Sequence, residues 1–288
     1  MNKDKLKMIA AMAIFGTIGL ARRYVPYSSV LIVCVRAVIG LVVFLAIKLI
    51  RREKFDKALI KKNLVYILLS GAALVTHWVI LFEAYNMTTV SVACVCNYMA
   101  PIILILVSPF LFKEKITLQK GLCAFFALLG LVFISGVIET GFTGISGALL
   151  ALLSAFLYAF IIVMNRKMTG LTAADRTLFQ FAVSVALIVP YSILTGQFEG
   201  FQFQTGPCIM LVILGLVHTG LAYYLYFGSL YKIPAQTVAI FAYIDPVMEV
   251  ILSALVLQEE MSALAVIGAV LVIGSAVISE IKFVRKAA

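Results

Sequence analysis

Apolar residues run along this chain in blocks of roughly twenty, broken by short stretches that collect Lys, Arg, Gly and Pro. The blocks fall at 6–21, 29–50, 63–83, 89–112, 119–138, 145–165, 177–195, 208–229, 235–257 and 263–281. At ~1.5 Å rise per residue, a helix of that length crosses a hydrocarbon core of ~30 Å. The pattern therefore predicts an all-α integral membrane protein with ten transmembrane helices, the first short and the least sharply bounded. Lys3, Lys5 and Lys7 ahead of the first block resemble the opening of a signal peptide. No small-residue cleavage site follows, so an uncleaved first helix is expected.

Composition agrees: 64% of residues are apolar and 12% charged, where a soluble domain carries about 25% charged residues. The charges then orient the helices. If the N-terminus is cytoplasmic, 20 of the 23 basic residues fall on that side. They are Lys3, Lys5 and Lys7; Lys48, Arg51, Arg52, Lys54, Lys57, Lys61 and Lys62; Lys113, Lys115 and Lys120; Arg166, Lys167 and Arg176; Lys232; and Lys282, Arg285 and Lys286. Arg22 and Arg23 face the other way, and Arg36 lies within a block. Positive loops stay in the cytoplasm, so the chain is expected in the cell (inner or plasma) membrane, multi-pass, with both termini cytoplasmic. The net charge of +10 is then a loop property, and nucleic acid is not expected as a partner. Gaps between blocks leave no room for a soluble domain, and no phosphate-binding loop is present, so transport driven directly by ATP would need another chain. No cofactor or metal is expected. Cys34, Cys94, Cys96, Cys123 and Cys208 lack metal-ligand spacing and read as small apolar residues.

The chain repeats itself. Tyr98-Met99-Ala100-Pro101 and Tyr243-Ile244-Asp245-Pro246 each put a proline inside a block, and Lys113-Glu114 and Gln258-Glu259 end those blocks at the same offset. Gly130 in one half answers Gly268 and Gly274 in the other. Residues 1–138 and 145–288 thus read as two repeats of five helices. Five is odd, so the second copy is inverted relative to the first, the arrangement that lets a carrier open to either side. Pro101 and Pro246 remove a backbone hydrogen bond where hinges and cavities form. A duplicated scaffold without transport is the bland alternative.

Ile14-Phe15-Gly16, Arg36, Ala84-Tyr85, the Ser154-Ala155-Phe156-Leu157-Tyr158-Ala159 stretch, Gly215, His218-Thr219-Gly220-Leu221-Ala222-Tyr223, Asp245-Pro246-Val247 running to Glu259, and Gly268 together resemble the EamA family of the drug/metabolite transporter superfamily. The resemblance covers nearly the whole chain and occurs twice. Phe15 stands where a Trp is frequent, and Cys123 and Ser275 replace helix-packing glycines. The resemblance implies a ten-helix transporter with a central cavity lined by helices one to four and six to nine, small organic substrates with amino acids prominent, and frequent export.

A charge at bilayer depth costs at least ~2.5–3.5 kcal/mol, so each one marks a candidate site. By helical rise, Asp245 lies about 15 Å from the cytoplasmic side, Arg36 about 11 Å from the outer side, His77 about 21 Å from inside and His218 about 15 Å from outside. Glu249 shares a face with Asp245 one turn on, and Glu83 sits at the outer interface. Arg36, His77, Asp245 and Glu249 thus occupy one layer. Arg36 either pairs with an acid or holds a substrate carboxylate while an acid takes an amine. Asp245 or Glu249 is also a candidate proton-coupling site, because a carboxyl taken out of water can exchange a proton. His77 and His218 are relay candidates or packing residues. Trp78, Tyr98, Tyr158, Tyr223 and Tyr243 can stack on a ligand or pack; Tyr224 is weighed with them; Asn97 and Gln180 can bind substrate or bridge helices.

The leading expectation is a secondary carrier for a small polar metabolite, an amino acid or related zwitterion or amine, working by alternating access, proton-coupled or facilitated, with export slightly favoured. Uptake of another class, such as a nucleoside or vitamin, is the alternative. A receptor or an intramembrane enzyme stands outside transport, but His77 and His218 lack any HExxH-like spacing and no enzyme is expected. A channel would show a ring of pore charges. The bilayer and a small-molecule substrate are the expected partners. A homodimer is compatible with Gly268 and Gly274 packing between chains.

Overall fold

A computed structural model describes residues 3–112, 117–134, 137–140, 145–199, 201–230 and 241–280. Lys113, Glu114, Lys115, Lys232, Lys282, Arg285 and Lys286, and the start of the predicted ninth block, lie outside the described residues. Among the described residues every regular element is helical. In chain order these are α1 (Lys3–Phe15), α2 (Ile18–Arg23), α3 (Ser29–Ile50), α4 (Lys57–Met87), α5 (Val90–Asn97), α6 (Ala100–Phe112), α7 (Leu118–Ile134), α8 (Val137–Thr140), α9 (Ser146–Lys167), α10 (Ala173–Leu194) and α11 (Thr205–Gly215). A π-helical segment (Leu216–Leu221) leads into α12 (Ala222–Leu230), followed by α13 (Ile244–Leu255) and α14 (Ala263–Glu280).

Six of these stretches are long and apolar enough to cross a membrane: Ser29–Ile50, Lys57–Met87, Val90–Val107, Ser146–Lys167, Ala173–Leu194 and Thr205–Ser229. Gly121–Ile134 and Ala263–Ser275 are apolar and shorter. The chain is a multi-pass membrane protein. Large apolar side chains point outward along its length, among them Leu49 (63% exposed), Phe125 (60%) and Val270 (67%). On a soluble protein such a belt would be a liability; here it faces lipid.

Helix starts are set by short polar side chains rather than by where the apolar run begins. Ser28, Thr89 and Thr172 accept from the backbone N–H groups of Leu31, Val92 and Asp175. Asp56 accepts from both Ala58 and Leu59 at 3.0 Å. The Asp56 cap explains why α4 begins before the predicted 63–83 block and carries Lys57, Lys61 and Lys62 into its first turns. The predicted first block is two helices, interrupted at Gly16-Thr17. The predicted fourth block is likewise two, α5 and α6, parted at Tyr98-Met99 just before Pro101, and Pro246 sits in the first turn of α13.

Neighbouring helices pair as follows. α4 lies along α9, and α1 along α12; α10 touches α3 and α4; α11 touches α3; α13 touches α5; α7 lies along α14. The α7–α14 contact is backbone to backbone. A Cβ at Gly130 would stand 2.7 Å from Gly268 O, and one at Gly268 would stand 2.6 Å from Gly130 O. Gly268 thus packs within the chain, whereas a Cβ at Gly274 would meet nothing.

Two loop charges are more buried than the sequence suggests. Arg22 is 6% exposed and donates to Val25 O (2.5 Å), Tyr27 O (3.3 Å) and Asn86 Oδ1 (2.8 Å), so it pins the α2–α3 turn. Lys48 lies in the last turn of α3 and pairs with Asp175 of α10 at 2.5 Å.

Candidate functional site

Trp78, Phe82 and Tyr85 recur at helical spacing on α4 and share one face. Arg36, from α3, lies against that face with its Cζ 4.6 Å from the Trp78 ring centroid and 5.0 Å from that of Phe82. Its Nε donates to Thr219 Oγ1 at 3.2 Å, and the residue is 2% exposed. Among the described residues no carboxylate forms an ion pair with it. A desolvated cation over an aromatic face gains ~2 kcal/mol, comparable to the ~2.5–3.5 kcal/mol cost of a charge at bilayer depth. Two rings therefore face Arg36, for which the sequence left open pairing with an acid or holding a substrate carboxylate.

The acids have different partners. Glu249, 4% exposed, accepts at Oε1 from Gly19 N–H (2.9 Å) and from the Tyr85 hydroxyl (3.0 Å). Asp245, one turn earlier on α13, accepts from the Tyr98 hydroxyl at 2.5 Å and retains partial accessibility. Tyr98 and Tyr243 face each other with ring centroids 6.5 Å apart. Tyr85 lies beside Phe82, 6.0 Å between centroids, so the α4 face runs from the cation at Trp78 to the acid at Glu249.

The histidines sit in two matched arrangements. His77 (α4) lies 3.0 Å from Ser154 O and 2.7 Å from Ser154 Oγ on α9. A carbonyl only accepts, so Nδ1 carries the proton in that bond. Ser154 in turn donates to Asn97 Oδ1 at 3.2 Å, and Tyr158 stacks on His77 at 5.4 Å. His218, in the π-helical segment, lies with Nε2 2.8 Å from Thr17 Oγ1, at the break in the first block. Thr17 Oγ1 also donates to Ile14 O (2.7 Å), and His218 Nδ1 lies 3.4 Å from Ile213 O.

A profile of the EamA-like transporter family matches residues 5–136 and again residues 145–280. The chain belongs to the EamA-like transporter family. It is a member of the drug/metabolite transporter superfamily and a membrane transporter rather than an enzyme. An uncharacterized transporter, YxxF, of Bacillus subtilis (strain 168) is 29% identical over 254 residues, covering 86% of this chain and 79% of that protein. An uncharacterized transporter of Archaeoglobus fulgidus is 24% identical over 141 residues, 48% of each chain. A crystal structure superimposes with a TM-score of 0.67 at 20% identity, covering 96% of both chains, and shares the fold.

The EamA chain brings some of the predicted residues together and separates others. Tyr98, Tyr243, Asp245 and Glu249 form one group. Arg36 and Trp78 form a second, with Tyr223 joined to it through Phe181, whose ring centroid is 5.8 Å from Tyr223 and 5.7 Å from Trp78. His77 and Asn97 meet through Ser154, and Tyr158 joins them by stacking on His77. Gln180 stands apart, donating to Asn165 Oδ1 at 2.8 Å as a bridge between α10 and α9. Among the described residues no group of His, Cys, Asp and Glu is arranged to hold a metal ion. Phe82, Tyr85, Thr17 and Thr219 were not singled out by sequence as site residues. Phe82 and Tyr85 carried a signal, their helical spacing from Trp78; Thr219 carried only its place in the His218–Tyr223 family stretch, and Thr17 carried none.

Proposed function

We propose that this EamA transporter is a secondary carrier that moves a small polar metabolite, an amino acid or related zwitterion, by alternating access. Arg36 carries the reading. It is buried, steadied by aromatic faces, and among the described residues its planar fork pairs with no acid, while the acids Asp245 and Glu249 are held by tyrosine hydroxyls. Charges of opposite sign held apart in this way suit a molecule that bears both a carboxylate and an amine.

Ten spans in two inverted repeats are part of the same reading. Two facts support it. The family profile matches twice, once in each half. The helix pairings also map onto one another when each predicted span is exchanged for the one five along. α4 with α9 becomes α12 with α1, α10 with α4 becomes α3 with α11, and the α7–α14, α3–α10 and α5–α13 pairs map onto themselves. His77 with Ser154 and His218 with Thr17 exchange in the same way. Both termini are cytoplasmic in this reading, Pro101 and Pro246 mark the hinges, Asp245 or Glu249 couples transport to protons, and export is favoured.

The test is a thermal-shift screen of purified protein against amino acids, amines and nucleosides, since a ligand stabilises the state it binds, followed by flux in reconstituted vesicles. Amino-acid-like ligands are expected to stabilise the wild type and to lose at least about tenfold in affinity, worth ~1.4 kcal/mol, in Arg36→Lys, which keeps the charge but not the fork. Ligands that stabilise wild type, Arg36→Lys and Asp245→Asn equally would overturn the assignment of the site.

A further inference from the structure

Two carboxylates at and beyond α13 reach across to α2. Glu249 holds the Gly19 N–H, and one turn further along α2, Arg23 Nη2 donates to Glu259 Oε1 at 2.7 Å. The second oxygen of Glu259 takes the Val90 N–H at 2.8 Å and the Ser253 hydroxyl, which ties the same carboxylate to the start of α5. Glycines let the two elements meet. A Cβ at Gly16 would stand 2.6 Å from Met248 Cβ, and one at Gly19 would stand 2.7 Å from Glu249 Oε1. Polar contacts at this end of the bundle thus join α2 to α13, to the segment that follows α13 and to the start of α5.

We propose that the Arg23–Glu259 pair is the gate of this end of the transport path, and that the Gly19–Glu249 bond links its closure to occupancy of the acid pair. The proposal rests on the carrier reading above. Three observations argue that the contact is made to open. The Arg23 and Glu259 side chains are 34% and 13% exposed, so water can replace their bond at little cost. The α7–α14 contact in the same molecule is made by glycine backbone packed on glycine backbone, with Gln119 donating to Ile278 O at 2.6 Å, and not by an ion pair. And α2 is a short helix set off from α1 by the Gly16-Thr17 break. Glu249 sits both in the gate and beside Asp245, so a cationic group drawn to the acids competes for the oxygen that holds Gly19.

The experiment replaces the five native cysteines and places one reporter, Asn97→Cys, behind the gate. Membrane-impermeant thiosulfonate is applied to right-side-out and inverted vesicles. Arg23→Gln and Glu259→Gln are each expected to raise labelling from the gated side by about fivefold, the shift given by losing one weak pair in a two-state balance. Arg23→Gln leaves the other bonds of Glu259 in place but also removes the Arg23 bond to Thr88 O (3.0 Å), so the effect shared by the two variants reads the pair. Gated-side labelling that is the same in wild type and both variants overturns the gate and leaves the carrier standing. A reporter reached from one side alone in every variant overturns both, because no alternation occurs.

Discussion

The Tyr85 hydroxyl donates to Glu249 Oε1 across 3.0 Å, joining α4 to α13 and sharing that oxygen with the Gly19 N–H. Tyr85 ends the aromatic face that begins under Arg36, so it stands between the cation and the acids. Tyr85→Phe keeps the ring and removes the donor. It is expected to lower stability by about 0.5–1.5 kcal/mol, the worth of one such bond, because Gly19 still serves the carboxylate. Thermal unfolding in detergent at fixed pH checks this; an unchanged melting temperature would mean that the ring, not the hydroxyl, matters.

Trp78→Leu and Phe82→Leu each remove one aromatic face from Arg36. Each is expected to cost about 0.5–2 kcal/mol beyond the lost packing. In an Arg36→Met background that extra cost should vanish. A double-mutant cycle on thermal stability measures it, and additive losses would mean that the rings do nothing for the charge.

Gly130→Ala and Gly268→Ala each push a methyl into a carbonyl oxygen under 3 Å away. Either should destabilise the protein by ~1–3 kcal/mol as α7 and α14 part. Gly274→Ala, with open space around it, should not. Equal melting temperatures for all three would contradict the close packing of these helices.

Asn63, 1% exposed, donates from Nδ2 to Leu59 O (2.8 Å) and Thr169 O (2.9 Å) and accepts from Thr169 N–H (3.0 Å). Asn63→Ala strands the Thr169 amide and should cost ~1–3 kcal/mol. Faster amide exchange in the turn after α9 is the expected signature, since the loss is local to that turn.

The sequence made the spans visible because twenty apolar residues are a strong signal, and it made Arg36, Asp245 and Glu249 visible because charge at depth is rare. It hid the breaks. Gly16-Thr17 and Tyr98-Met99 sit inside apolar blocks, where an average over hydropathy passes straight across a missing turn. It also gave no sign of the burial of Arg22, whose place beside Arg23 and a turn looks like a solvated loop; that burial depends on carbonyls of Val25 and Tyr27 and on Asn86 of another helix. The partner of Arg36 was out of reach for a related reason. Depth along each helix can be counted from the chain, but which face looks at which cannot, and it is facing that gave Arg36 two rings instead of an acid.

The π-helical stretch from Leu216 to Leu221 has a consequence for chain length. Such a turn holds one residue more than an α-helix would spend on the same rise. Shortening the chain by one residue there would leave the apolar block intact and its hydropathy unchanged. The turn would then close to α geometry, and the helix beyond would keep its phase, because the wide turn absorbs its extra residue locally. Tyr223 and Phe227 would stay on Phe15 and Phe44, their present ring neighbours. The spare residue is therefore confined to the turn that holds it, and a homologue lacking it can build the same aromatic cluster from the same positions, numbered one lower.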